Sequence, residues 1–301
     1  MKVAVLTGGV GGAKLVLGLT QVMSLEDITA IINTGDDFFH MGLPISPDID
    51  TLLYTLAGKA NAAQGWGRED ESWNFMATLK SLGGPGWFNL GDGDLALHVM
   101  RLAGGTKSET TARFATAWGI GVKMLPMSDD VIATMLETDA GRLPFQTYFV
   151  KQRCAPTVRA ISFEGAEDAQ PAPGVIEAIA EADIILIAPS NPWLSVGPIL
   201  ALPGVANALR LARAPVVAVS PIIGGQAVKG PTAKLMTELG LPVTNASIAA
   251  YYSDIVDGLL INHGDDAPGI AQAEADTLMQ TLDDRARVAS AALALAETLR
   301  R

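Results

Sequence analysis

Short uninterrupted apolar runs, each followed by a polar or glycine-rich break, dominate the pattern of the chain. Residues 3–6 (VAVL) read as a strand buried on both faces, and residues 14–19 (KLVLGL) suit a helix, which leaves Gly8, Gly9, Gly11 and Gly12 as the turn between them. Three later runs end in the same way: ITAIINTGDD, DIILIAPSNP and PVVAVSPIIGG, the last two preceded by helical stretches at about 175–182 and 204–212. Strands alternating with helices predict an α/β fold, a Rossmann-like doubly wound and mostly parallel sheet. Such sheets bind ligands at the carboxyl ends of their strands, where the first turn and these three loops would gather.

The middle of the chain has another texture. Residues 51–128 read as helical segments broken by Gly- and Trp-containing turns (QGWGRED, LGGPGWFNLGDGD), and IATMLETDAGRLPFQTYFV reads as two strands joined around Ala140-Gly141. The expected organisation is therefore one Rossmann-like domain over 1–301 with a mainly helical inserted cap at about 51–150. Residues 269–301, Ala-rich with mixed charges, read as a terminal helix.

Charge narrows the partners. With 32 acidic against 21 basic residues and a net charge of −11, a nucleic-acid or anionic-membrane surface is not expected, so a phosphate would be held by backbone amides, a few Lys or Arg and a divalent metal. The single cysteine, Cys154, excludes a disulfide framework and reads as structural. The amino terminus is broken by glycines and Lys14, unlike a signal peptide, and no apolar run reaches the ~18 residues of a membrane span. A cytoplasmic protein is expected.

A strand, a glycine turn and a helix form an anion site, because the helix N-terminus offers unpaired N–H groups. The turn fits neither familiar fingerprint. From Gly9 the dinucleotide pattern fails at Lys14, and the P-loop pattern fails at Ala13 and Leu15. Carboxylates dominate the remaining candidates: Asp36 and Asp37, Asp48 and Asp50, Asp92 and Asp94. Hard oxygen ligands at strand ends beside a phosphate loop suit magnesium, while helix N-capping is the structural alternative for Asp50 and Asp94. His40, His98 and His263 show no H-x-x-x-H spacing, which argues against a histidine metal site and leaves His98 as packing. Ser190 and Asn191 read as binding groups, since no G-x-S-x-G elbow surrounds the serine. Trp66, Trp73 and Trp87 supply core packing or a face for a flat ring.

Seven segments in order, GGVGGAKLVLGL, NTGDD, SPDIDTLLY, LGDGDLALH, LPMSDD, APSNPWLSVGPIL and SPIIGGQAVKGPTAKLM, resemble the 2-phospho-L-lactate transferase family, CofD, over nearly the whole chain. The resemblance implies a Rossmann-like core and a magnesium-dependent transfer in coenzyme F-420 biosynthesis. A phosphorylated three-carbon acid (2-phospho-L-lactate, phosphoenolpyruvate or phosphoglycerate) passes from a guanosine diphosphate adduct to the ribityl hydroxyl of the deazaflavin FO, releasing GMP. It also implies a homodimer. Carried over by motif, Asp36 and Asp48 would hold Mg2+, and Asp50 would contact FO and accept its proton, with Asp48 and Asp37 as neighbouring candidates for the base. Gly8, Gly9, Gly11, Gly12, Lys14, Asn33, Thr34, Asp92, Asp94, Ser190, Asn191, Ser220, Gly224 and Gly225 would lie on the substrate side. The family's L-G-D-R-D reads Leu90-Gly91-Asp92-Gly93-Asp94 here, so either another cation such as Arg68 or Lys14 supplies the missing charge, or the acid or the acceptor differs. The alternatives are an NAD(P)-dependent oxidoreductase with Asp36 on a ribose and a non-catalytic nucleotide-sensing regulator.

Overall fold

In a computed structural model, which describes all residues except 62, 63, 229 and 301, the strand Val3–Thr7 is buried at every position. Its side chains alternate between two apolar layers, Val3 and Val5 in one, Ala4 and Leu6 in the other, as a period of two requires for a strand covered on both faces. Ile28–Ile32 pairs with it on one side and Ile184–Ile187 on the other, both parallel. The sheet runs Ala271–Ala275, Gly258–Asn262, Val216–Val219, Ile184–Ile187, Val3–Thr7, Ile28–Ile32, Lys123–Pro126, and every pairing is parallel. The chain reverses its direction of travel across the sheet between Val3–Thr7 and Ile184–Ile187, the switch point at which such folds open a crevice. The expected doubly wound α/β fold is therefore present.

Helices Gly9–Leu19, Pro47–Leu56, Lys107–Ala117 and Leu282–Thr298 cover one face through Leu15, Leu53, Phe114 and Val288. Helices Val175–Glu181, Val205–Leu211 and Asn245–Tyr251 cover the other through Ile179, Leu209 and Ile248. Among the described residues no single helix is long and apolar enough to cross a membrane.

Three local expectations change. The first helix starts at Gly9 rather than Lys14, so most of the glycine turn is the helix's own first turn. Within the span read as a helical insertion, Lys123–Pro126 returns to the central sheet, and the hairpin Ala133–Thr138/Gly141–Pro144 gains a third antiparallel strand, Val158–Glu164. The tail is not all helix: Ala271–Ala275 forms the sheet's edge strand before Leu282–Thr298. Its A-Q-A-E-A alternation has the strand period, but alanine's helical preference hides it.

Candidate functional site

A cavity of ≈ 690 Å³ opens where the central strands end. Its wall takes Gly8, Gly9, Gly11 and Lys14 from the first turn, Asp36 from the loop after Ile28–Ile32, Pro189, Ser190 and Asn191 from the third loop, and Ser220 from the fourth. The loops meet closely. Ser190 Oγ donates to the Gly8 carbonyl at 2.6 Å, and a Cβ on Gly11 would collide with the Pro189 carbonyl oxygen, so only glycine lets these backbones touch. The opposite side is aromatic, with Tyr54, Trp66, Trp87, Phe88, Phe145 and Phe149. Trp73 lies outside this wall, in an adjoining groove with Met76 and Lys80.

The expected site residues divide by depth. Gly12, Asn33, Thr34, Asp37, Asp92, Gly224 and Gly225 do not line the cavity. Asn33, Thr34 and Asp37 lie just behind it in the same loop as Asp36, and Asn33 and Thr34 are buried. Gly224 and Gly225 turn the hairpin Ile222–Ile223/Gln226–Ala227, with the Gly224 N–H held by Asp265 at 3.1 Å. Asp92 accepts from Ser72 Oγ at 2.6 Å and from the Asn74 and Phe75 N–H groups at 3.1 Å, which fixes the start of helix Asn74–Ser81. Those donors, Ser72 foremost, hold its carboxyl below the usual range. Ser220 donates to Asn245, and Asn191 accepts from the Trp193 and Leu194 N–H groups at 3.0 Å while donating to Thr232 at 3.0 Å.

The aspartates at the cavity floor differ in their partners. Asp50 does not cap its helix. Pro47–Leu56 begins after Ser46, and Asp50, inside the first turn, is gripped by the buried Arg101 through both oxygens, with Nη1 to Oδ2 at 2.9 Å. Asp94 does not cap either, being the first residue of Asp94–Leu102. It accepts from the Tyr54 hydroxyl and lies 3.3 Å from His98 Nε2. Burial works against its charge, but His98, Tyr54 and Arg101 together keep its carboxyl below the ordinary value. Asp37 accepts from Ser46 Oγ at 3.0 Å and lies 3.7 Å from Lys107 Nζ. Burial still raises it to about 7.

Asp36 and Asp48 have only neutral donors among the described residues. Asn33 Nδ2 reaches Asp36 Oδ1 at 3.2 Å and Asp48 Oδ2 at 3.0 Å. Gln146 Nε2 reaches Asp36 Oδ2 at 3.2 Å, and the Gly9 N–H reaches Asp48 Oδ1 at 2.7 Å. Burial, then the neighbouring charges of Asp48 and Asp37, push Asp36 well above the carboxylate range. Burial pushes Asp48 to about 6 against the donors Asn33 and Gly9. Two buried carboxylates with no cationic partner among the described residues suit a divalent cation, since hydrogen bonding leaves lone pairs free on each.

A second set of donor atoms, from Asp50, Asp94 and His98, lies within 4.8 Å of one another. This corrects the view of His98 as packing: the lack of H-x-x-x-H spacing does not exclude Asp94-x-x-x-His98, whose two side chains share one helix face. Arg101, one turn further along that face, was also missed. Gln146 carried no sequence signal, since it reaches the site from the antiparallel sheet.

At Gly93 a Cβ would overlap the Arg68 guanidinium, so Arg68 fills the space above that glycine. Arg68 lies 3.6 Å from Glu71, which accepts the Gly93 N–H at 2.7 Å. Lys14 lines the cavity with Nζ on the Met279 carbonyl at 2.6 Å.

Comparison with known proteins adds three findings. The model of the family described as 2-phospho-L-lactate transferase CofD matches residues 3–298. A phosphoenolpyruvate transferase of Kitasatospora aureofaciens is 44% identical over 100% of this chain and 99% of its own, and one of Mycolicibacterium smegmatis is 36% identical over 98% and 99%. The crystal structure of a UPF0052-family protein from Bacillus halodurans shares the fold, with a TM-score of 0.66 at 20% identity over 97% of this chain and 100% of that one. Full-length relatives named as transferases set aside the oxidoreductase and regulator readings.

Proposed function

We infer the reaction from one premise: the chain belongs to the 2-phospho-L-lactate transferase CofD family and is a transferase of coenzyme F-420 biosynthesis. The proposed reaction moves a phosphorylated three-carbon acid from a guanosine diphosphate adduct to the ribityl hydroxyl of FO and releases GMP. Phosphoenolpyruvate is the favoured acid, because relatives similar over the whole chain carry that name.

The observation that carries this reading is the pair Asp36 and Asp48, buried without a cationic partner among the described residues, beside a glycine turn and opposite an aromatic wall. These two are the proposed holders of Mg2+. Asp50, Asp94 and His98 are the poorer set, since Arg101 already takes both oxygens of Asp50 and supplies a positive charge. Magnesium, when bound, neutralises charge on the phosphoryl oxygens.

The rest falls to the chain. With the Gly9 N–H taken by Asp48, the amides of Val10 and Gly11 in the turn and the Lys14 ammonium face the diphosphate, with Ser190, Asn191 and Ser220 on the nucleotide side. Tyr54, Trp66, Trp87 and Phe88 take the deazaflavin ring between them. Asp50, locked by Arg101, accepts the hydrogen bond of the attacking hydroxyl and aims its oxygen at phosphorus. A late proton loss asks for positioning more than for a strong base. The working form is a cytoplasmic homodimer, and Val99 and Leu102, apolar and exposed on helix Asp94–Leu102, favour a covered surface.

The test supplies FO with guanosine diphosphate adducts of the three acids in competition and reads products by mass. A product containing the enolpyruvyl group is expected. No FO adduct from any donor, with Mg2+ present, overturns the reading.

A further inference from the structure

The carboxylates around the cavity floor obey a division of labour: Asp50 is neutralised by Arg101, Asp37 faces Lys107, while Asp36 and Asp48 are held by neutral amides alone among the described residues. We propose that Asn33 and Gln146 are positioning residues for a divalent cation, cross-bracing Asp36 and Asp48 without cancelling their charge. The inference rests on the reading of these two aspartates as the cation's holders.

The orientation of the Asn33 amide is decided by its other end. Its Oδ1 accepts the Gly35 N–H at 2.8 Å, so Nδ2 must face the carboxylates, one hydrogen toward each. That single group fixes the spacing between a residue that follows Ile28–Ile32 and one in the first turn of Pro47–Leu56. The Leu194 carbonyl, 3.4 Å from Nδ2, closes its surroundings. Gln146 acts from the other direction. It follows Gly141–Pro144 of the antiparallel sheet, and its Nε2 fixes the rotation of Asp36 through Oδ2. With the Gly9 N–H on Asp48 Oδ1, each of the four carboxylate oxygens accepts one neutral donor and retains a lone pair for the cation. A Lys or Arg in either place would hold the carboxylates equally well and remove their attraction for a cation. Neutral donors keep both geometry and charge. The side chains are buried, Asn33 at 1% and Gln146 at 6% exposure, so water does not substitute for them readily.

The test is a Mn2+ titration of the full chain, followed by electron paramagnetic resonance of the free ion, for wild type, Asn33→Leu and Gln146→Met. Melting curves are taken alongside in a chelator. Each substitution keeps volume and removes the donors, and each is expected to weaken Mn2+ about 10–100-fold, with the chelated melt of Gln146→Met at the wild-type temperature and that of Asn33→Leu lower but still cooperative, since the Gly35 N–H loses its acceptor. Variants that bind Mn2+ as wild type does overturn the proposal, and so does weakened binding matched by a collapse of the chelated melt, which marks a purely structural role. If Asn33→Leu does not fold, Gln146→Met decides alone. A wild type that binds no Mn2+ overturns the cation reading itself, a separate failure.

Discussion

Arg101 lays its guanidinium across both carboxylate oxygens of Asp50, and neither side chain is more than 7% exposed. The guanidinium also stands over the Phe114 ring at 5.4 Å and 3.3 Å from His98 Nδ1, so it is held on three sides. A buried pair contributes little net stability, yet removing one partner leaves a charge with no compensation. Arg101→Met and Asp50→Asn are each expected to cost about 3–5 kcal/mol, and the double variant less than the sum. Urea denaturation of the four proteins checks this, and additive losses would mean that the pair is not coupled.

Asp36→Asn should divide function from stability. Asparagine carries no charge, so the burial cost that raises Asp36, and after it the repulsion from Asp48 and Asp37, is relieved and the metal-free melting temperature is expected to rise. The same change removes a hard ligand, and Mg2+ dependence should weaken by more than the ~10–100-fold typical of a supporting residue. A variant with wild-type Mg2+ dependence would free Asp36 from the metal assignment.

Asp37, which lies behind the cavity wall, gives a pH signature. Its carboxyl is raised from 3.8 to about 7 by burial, so between those values the folded state holds a proton that the unfolded state has lost. Stability therefore falls as pH rises through that window and is flat above it. Asp48, raised to about 6, acts in the same direction, whereas His40, lowered by burial, acts in the opposite one. Comparing wild type with Asp37→Asn isolates the residue. Relative to wild type, the variant should gain stability between pH 4 and 7, and thermal melts in a chelator measure it. A constant difference across pH would show that Asp37 is not raised.

The parts of the fold legible in the sequence are those set by local pattern. Val3–Thr7 is buried on both faces, so its apolar run has no polar interruption, and the loops that follow the central strands carry the polar residues that the cavity needs. What stayed hidden depends on contacts between distant segments. The N-cap reading of Asp50 failed because Ser46 and Pro47 already start the helix, which frees the aspartate to meet Arg101, 51 positions later. Asp94, His98 and Arg101 lie at i, i+4 and i+7 on one helix face. That spacing was visible, but no principle of sequence says that such a face meets Asp50 rather than water.

The resemblance leads one to expect an arginine at the position of Gly93, and the space a side chain would enter from Gly93 is filled by the Arg68 guanidinium. Glu71 ties the two together, accepting the Gly93 N–H and lying 3.6 Å from Arg68 Nη1. Arg68 thus places a cation above Gly93, and in sequence it directly follows Trp66 and Gly67 of the cavity wall. If that charge serves an anionic substrate, Arg68→Ser alone should raise KM for the guanosine diphosphate donor by about 10–100-fold, the worth of a charge-assisted hydrogen bond of about 1.5–3 kcal/mol, with a smaller effect on kcat. Gly93→Arg alone should also weaken the enzyme, because two guanidinium groups would compete for one space. The double variant, Arg68→Ser with Gly93→Arg, removes the collision and restores the charge, so its KM should return toward that of wild type. Steady-state kinetics of the three variants settle the matter. A wild-type KM in Arg68→Ser would leave Lys14 as the cation that meets the anionic substrate.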